Sequence, residues 1–184
     1  MQPRYFIGIS LPFKAELVFN HLKRTFHPQH RLTSPAHITL VPPFYWTNHQ
    51  LLVSQLTKLV SQFQSFTAKF TRIASFKQLK YGTAFLAPNQ VAPFKHLAFI
   101  LQQAILGKAD RGEFKPHLTL AQKVPHDQLT SVKQQIREMN LSLKLKVDRL
   151  TLFSFNDQVW VKHQTFPFSN LNSQTKVTRE EKAK

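Results

Sequence analysis

Two segments of the chain nearly repeat one another. Pro35-Ala36-His37-Ile38-Thr39-Leu40 and Lys115-Pro116-His117-Leu118-Thr119-Leu120 each carry His-x-Thr-Leu shortly after a proline, with the histidines 80 residues apart. Either tetrapeptide alone is ordinary, since a lone strand histidine is most often a partly buried, hydrogen-bonded residue. Two of them, each inside an apolar stretch, point to a site built twice. Along a strand alternate side chains face opposite ways. His37 and Thr39 therefore share one face while Ile38 and Leu40 take the other, and residues 117–120 repeat the pattern. Set side by side, two such strands bury their aliphatics and offer two imidazoles and two hydroxyls to a common cleft. Imidazole has an ordinary pKa of about 6.5, so one ring can accept a proton near neutrality while the other donates one. Threonine hydroxyls can hydrogen-bond the non-bridging oxygens of a phosphate held between the rings. The set suits acid–base chemistry on a phosphodiester.

That chemistry calls for neither a metal nor another cofactor. The spacing is HxT rather than HxH or HExxH, which does not match a histidine metal site. The chain has no cysteine, which removes disulfides, thiolate nucleophiles and cysteine-ligated zinc. Charge is lopsided: 25 Lys+Arg against 9 Asp+Glu, formally +16. Residues 170–184 contribute only +2 of this, so the folded body carries about +14. A field of that sign concentrates polyanions, and nucleic acid is the partner it favours. No apolar run is long enough to span a bilayer, and no secretory leader is recognisable. A soluble cytoplasmic protein without membrane association is expected.

The elements that must position the histidines can be read from periodicity. Arg4–Ser10 reads as a strand and residues 12–26 as a helix with Leu17, Val18, Leu22 and Phe26 on one face. His37–Val41 reads as a strand stopped by Pro42-Pro43. Residues 48–64 form a helix, and 66–76 and 83–87 form strands. The second half repeats these parts: helix 92–106, strand 117–123, helix 126–139, strand 141–147, and a hairpin of 150–155 with 159–166 turning at Asn156-Asp157. Strands and helices mix without the alternation of a doubly wound sheet, which predicts α+β. The repeat predicts two similar lobes facing each other. The expected domain is residues 1–169, followed by a polar, disordered tail over 170–184.

At these residues the chain resembles the 2H phosphoesterase superfamily, named for two HxT/S motifs, and within it the 2′-5′ RNA ligase-like, RNA 2′,3′-cyclic phosphodiesterase branch. Arg4-Tyr5-Phe6-Ile7-Gly8-Ile9 resembles the opening strand of that family. Residues 114–121 resemble its second motif, and 147–153 with 166–168 its closing strands. The resemblance implies a bilobal α+β fold with two pseudo-symmetric antiparallel sheets, outer helices and a central cleft. It implies metal-independent opening of 2′,3′-cyclic phosphates on RNA or small nucleotides, with 2′-5′ ligation as a reverse activity. His37 would protonate the departing O3′, His117 would activate water, and Thr39 and Thr119 would grip the phosphate. Because the site is nearly symmetric, reversal swaps the two roles.

The chain departs from the family in two places. Where members often carry arginine after the second motif, this chain has Gln122 followed by Lys123, which makes Lys123 a candidate phosphate contact. After the first motif stand Phe44, Tyr45 and Trp46, for which two roles are open: stacking on a base or packing between lobes. A site within one chain is compatible with a monomer. The function from another class is a non-catalytic RNA-binding module using the basic cleft.

Overall fold

The computed structural model describes residues 2–27, 29, 32–109 and 114–169. The disorder expected of residues 170–184 concerns positions outside these. The elements run β1 (Arg4–Ser10), α1 (Phe13–Thr25), β2 (His37–Tyr45), α2 (His49–Val60), β3 (Phe66–Lys77), β4 (Tyr81–Pro88), α3 (Ala92–Leu106), β5 (Leu118–Pro125), α4 (Leu129–Glu138), β6 (Leu143–Val147), β7 (Arg149–Asn156) and β8 (Val159–Pro167).

The α+β class is as read. The strands form one eight-stranded sheet in the order β6-β3-β4-β5-β2-β1-β7-β8, with every neighbouring pair antiparallel. The order has a centre. β2, β1, β7 and β8 lie on one side of it, and β5, β4, β3 and β6 mirror them on the other. The two halves meet at a single pair, Ile38 opposite Leu118. The expected two sheets are therefore two halves of one sheet, joined at a narrow seam.

Helices tie the halves together crosswise. α1 follows β1 of the first half yet packs on β5 of the second, and α3 follows β4 of the second half yet packs on β2 of the first. A buried hydrogen bond reinforces this brace: Gln102 of α3 donates from Nε2 to the Leu40 carbonyl at 2.8 Å. One hydrophobic cluster consequently runs through both halves, from Ile7, Ile9, Ile38 and Leu40 to Leu86, Leu101, Leu118 and Leu120. α3 starts with proline at its first positions and ends at Gly107, whose φ of 68° places it in the left-handed region that closes helices.

Two expectations need correction. β2 does not stop at Pro42-Pro43 but continues to Tyr45. Its pairing with β1 persists as Tyr5↔Phe44 and Arg4↔Tyr45, while on its other side β5 touches it only at Ile38. Adjacent strand N–H groups face opposite edges, so one proline faces that open side, where no ladder bond is lost, and opposite the pair the β1 register shifts between Tyr5 and Ile7. In α1 the buried face is Phe19, Leu22 and Lys23, with Leu17 and Val18 exposed. The amine of Lys23 is accommodated on that face by oxygen partners, as described below.

β1 and β2 approach each other closely at Gly8, which pairs with Thr39. A β-carbon at Gly8 would lie 2.7 Å from the Ile38 carbonyl oxygen. Since that obstacle is backbone, the strands must part to admit it. Alanine normally improves a strand position held by glycine, but Gly8→Ala is expected to lower stability by about 1–3 kcal/mol. Urea unfolding, read as a drop in midpoint at unchanged slope, checks this.

Candidate active site

The seam builds the site. Ile38 and Leu118 face each other and are fully buried, so the residues flanking them point to the opposite face. Antiparallel register from that pair sets His37 across from Thr119 and Thr39 across from His117. The two histidines thus occupy diagonal corners of a four-residue patch, a spacing of about 7–8 Å for diagonal neighbours on one sheet face. The structure brings together His37, Thr39, His117 and Thr119, all half-buried.

Each ring is pinned in the same manner. His37 Nδ1 lies 2.6 Å from the Pro35 carbonyl oxygen, and His117 Nδ1 lies 2.7 Å from the Lys115 carbonyl oxygen. A carbonyl can only accept, so Nδ1 carries the proton and Nε2 presents its lone pair. The Thr39 hydroxyl donates to His37 Nε2 at 3.2 Å. Each ring also rests against two phenylalanines: His37 on Phe6 and Phe153, with centroids 4.6 and 5.3 Å away, and His117 on Phe76 and Phe85, at 5.0 and 5.1 Å.

These surroundings disfavour the charged imidazole. Burial pushes His37 down to about 3, with the Lys23 ammonium and then His117 adding to the effect and the Pro35 carbonyl opposing it. Burial lowers His117 as well, against the pull of the Lys115 carbonyl. Both rings are neutral near pH 7 in the free protein, so each offers a basic Nε2.

α1 holds the segment before the first motif. Asn20 Oδ1 accepts from the Ala36 N–H at 2.7 Å, and Lys23 Nζ donates to the Ser34 carbonyl at 2.7 Å and to Ser34 Oγ at 3.0 Å. Those bonds flank Pro35, whose carbonyl orients His37. Lys23 is buried, which lowers its amine to about 8 despite the opposing charge of Glu16. The hydroxyls of Ser10 and Thr151 sit 2.9 Å apart beside this strand, Ser10 being the cross-strand partner of His37.

The expected substrate contacts fare differently. Phe44 is buried in the core, tilted against Tyr5 and edge-on to Trp46, and is thereby withdrawn from base stacking. Tyr45 is 61% exposed, with the Arg4 guanidinium 5.8 Å from its ring centroid. Lys123 is exposed at a strand irregularity, with a φ of 57°, a device that re-aims side chains near sites. Gln122 reaches toward Thr33 at 3.5 Å. Sequence reasoning missed the four phenylalanines and the α1 pair. The signals were present: Phe6 falls out of phase with Tyr5, Ile7 and Ile9, and Lys23 sits between Phe19 and Phe26 on the apolar helix face.

The chain is similar to known proteins in sequence and in fold. The family model of the 2′-5′ RNA ligase superfamily matches residues 11–158. A protein of Oceanobacillus iheyensis, provisionally named a phosphoesterase, is 26% identical over 153 residues, covering 80% of this chain and 87% of its own. A similarly named protein of Bacillus licheniformis is 23% identical over 166 residues, covering 89% and 97%. Among solved structures, apo LigT of E. coli superposes with a TM-score of 0.57 at 19% identity over 92% of this chain and all of its own. LigT complexed with 3′-AMP gives 0.60 at 16% identity over the same shares.

Holding His37 neutral makes stability depend on pH. The folded pKa lies below the unfolded one, so below pH 6.5 the unfolded chain binds the extra proton. The contribution is fully present above pH 6.5 and is lost as pH falls from there toward 3. Between pH 7 and pH 5 the wild type should lose about 2 kcal/mol more than His37→Gln. Urea unfolding of both proteins at the two pH values measures the difference.

Proposed function

The chain belongs to the 2′-5′ RNA ligase superfamily, and from that premise we propose that it is a metal-independent phosphodiesterase. Its proposed substrates are 2′,3′-cyclic phosphate ends of RNA or small cyclic nucleotides, with 2′-5′ ligation as the reverse reaction. The observation that carries this reading is the pair of neutral imidazoles, tautomers set alike, on diagonal corners across Ile38 and Leu118. A phosphorus atom between them would have one Nε2 on each side. LigT, a structural neighbour, has been solved with 3′-AMP and with ATP, which supports a nucleotide in such a cleft.

In the proposed hydrolysis His117 Nε2 takes a proton from water as the water oxygen bonds to phosphorus. The bond from phosphorus to O3′ breaks, and Nε2–H of protonated His37 gives its proton to O3′. The products are a 2′-phosphate and a 3′-hydroxyl, and proton exchange with solvent resets the rings. Thr39 and Thr119 would donate to the non-bridging oxygens, for which Thr39 must turn away from His37. The general acid needs a proton that burial and the Lys23 charge disfavour. An anionic phosphate between the rings supplies the opposite charge that raises an imidazole pKa, so the proton enters with the substrate. Lys123 and the surrounding basic surface would stabilise charge on the phosphate.

The site lies within one chain, so we read a monomer acting in the cytoplasm. Among the described residues no helix is long and apolar enough to cross a membrane. The formal charge of +16 also favours a second reading, an RNA-binding module without turnover, which predicts tight, salt-sensitive binding.

RNA ending in a 2′,3′-cyclic phosphate, incubated with the protein and EDTA, should be opened to a 2′-phosphate identified by mass spectrometry and phosphatase mapping. The rate should be bell-shaped in pH. His37→Ala and His117→Ala should each lower kcat by about 10²–10⁴-fold or more. Wild-type rates in either variant would overturn the assignment, and tight RNA binding with no turnover would select the binding module.

A further inference from the structure

Beyond His37, along the same face of the first half, aromatic contacts continue. Phe6 stacks on Phe153 at 4.3 Å and meets Trp160 edge-on at 4.8 Å, and Trp160 lies 5.0 Å from Phe155. Two residues before Phe6 on β1, about 6.8 Å along the strand, stands Arg4. Its guanidinium is 5.5 Å from the Trp160 ring centroid, 5.7 Å from Phe155 and 5.8 Å from Tyr45. Arg4 Nε is buried and has no hydrogen-bond partner, an unusual state for so strong a donor. Tyr45 and Phe155 are exposed, at 61% and 39%. The corresponding rim of the second half is the β3–β4 hairpin, where exposed Lys77, Lys80 and Tyr81 stand instead. The sheet face around the seam therefore has one aromatic end and one cationic end.

We propose that Arg4, Tyr45, Phe155 and Trp160 form a nucleobase subsite, which takes the base of the nucleoside whose ribose carries the reacting phosphate. The subsite rests on the nucleotide-substrate reading above and adds an orientation to it. Exposed rings offer faces to any base, and a guanidinium among them gives N–H donors to acceptors on the base edge. A second phosphate fits this end less well, because it would meet one cation surrounded by apolar rings. The cationic hairpin at the far rim suits the phosphate backbone of a longer strand. Ring contacts run without a break from His37 through Phe6 to Trp160, so the ribose would lie on the His37 side.

The chain has two tryptophans, so Trp46→Phe leaves Trp160 as the only one. In that background 2′-AMP and 2′-GMP should quench Trp160 fluorescence saturably, and inorganic phosphate should bind without quenching. Arg4→Met, and independently the exposed-site change Tyr45→Ala, should weaken nucleotide binding by about tenfold while leaving phosphate affinity unchanged. That unchanged affinity also reports an intact fold. Nucleotide binding without Trp160 quenching, or with the same affinity in both variants, would overturn the subsite even if cyclic phosphates are hydrolysed. Arg4-dependent quenching in a protein that hydrolyses no cyclic phosphate would uphold the subsite and remove the hydrolase reading.

Discussion

The pairing of Ile38 with Leu118 is the contact on which the site depends. It is the one point where the two halves of the sheet join. Because strand side chains alternate strictly, pairing the apolar middle residues sets all four polar flanking residues on the opposite face in one step. A slip of one residue would bury the histidines in the helix-covered core and expose Ile38 and Leu118. Complete burial of both aliphatics therefore guards the register, and the same energy that closes the core holds the imidazoles in place.

Chemistry here works against stability in a controlled way. Imidazoles laid on phenylalanine pairs lose hydration, and His37 falls to about 3. The buried Lys23 adds like-sign charge against His37 rather than relief. What compensates is backbone hydrogen bonding: both Nδ1 protons are satisfied by carbonyls two residues upstream, and those carbonyls are themselves placed by α1 or by a proline-restricted segment. The outcome is a pair of imidazoles fixed in the same tautomer and held toward the neutral form.

Much of this was legible in the chain and some of it was not. His37, Thr39, His117 and Thr119 could be singled out because identical spacing recurs and strand periodicity is strict. The α+β class followed from mixed periods. The continuation of β2 through Pro42-Pro43 was not legible, because local propensity cannot show that one side of a strand lacks a partner. On α1, Leu22 and Phe26 face the core as read, but Leu17 and Val18 do not, because apolar content alone cannot show that Lys23 has two oxygen partners on the buried side. Phe44 looked available beside Tyr45, yet consecutive strand residues face opposite ways, and the register with Tyr5 sends Phe44 inward. The helix exchange between halves depends on long-range packing with no local signature.

That exchange gives the molecule an indivisible architecture. Each half covers its inner strand with a helix contributed by the other, an arrangement equivalent to a domain swap completed within a single polypeptide. Neither half of the sheet could retain its full apolar cover if the other were removed. The gap between the histidines is thus braced by two crossed struts, α1 and α3, in addition to the narrow β2–β5 junction.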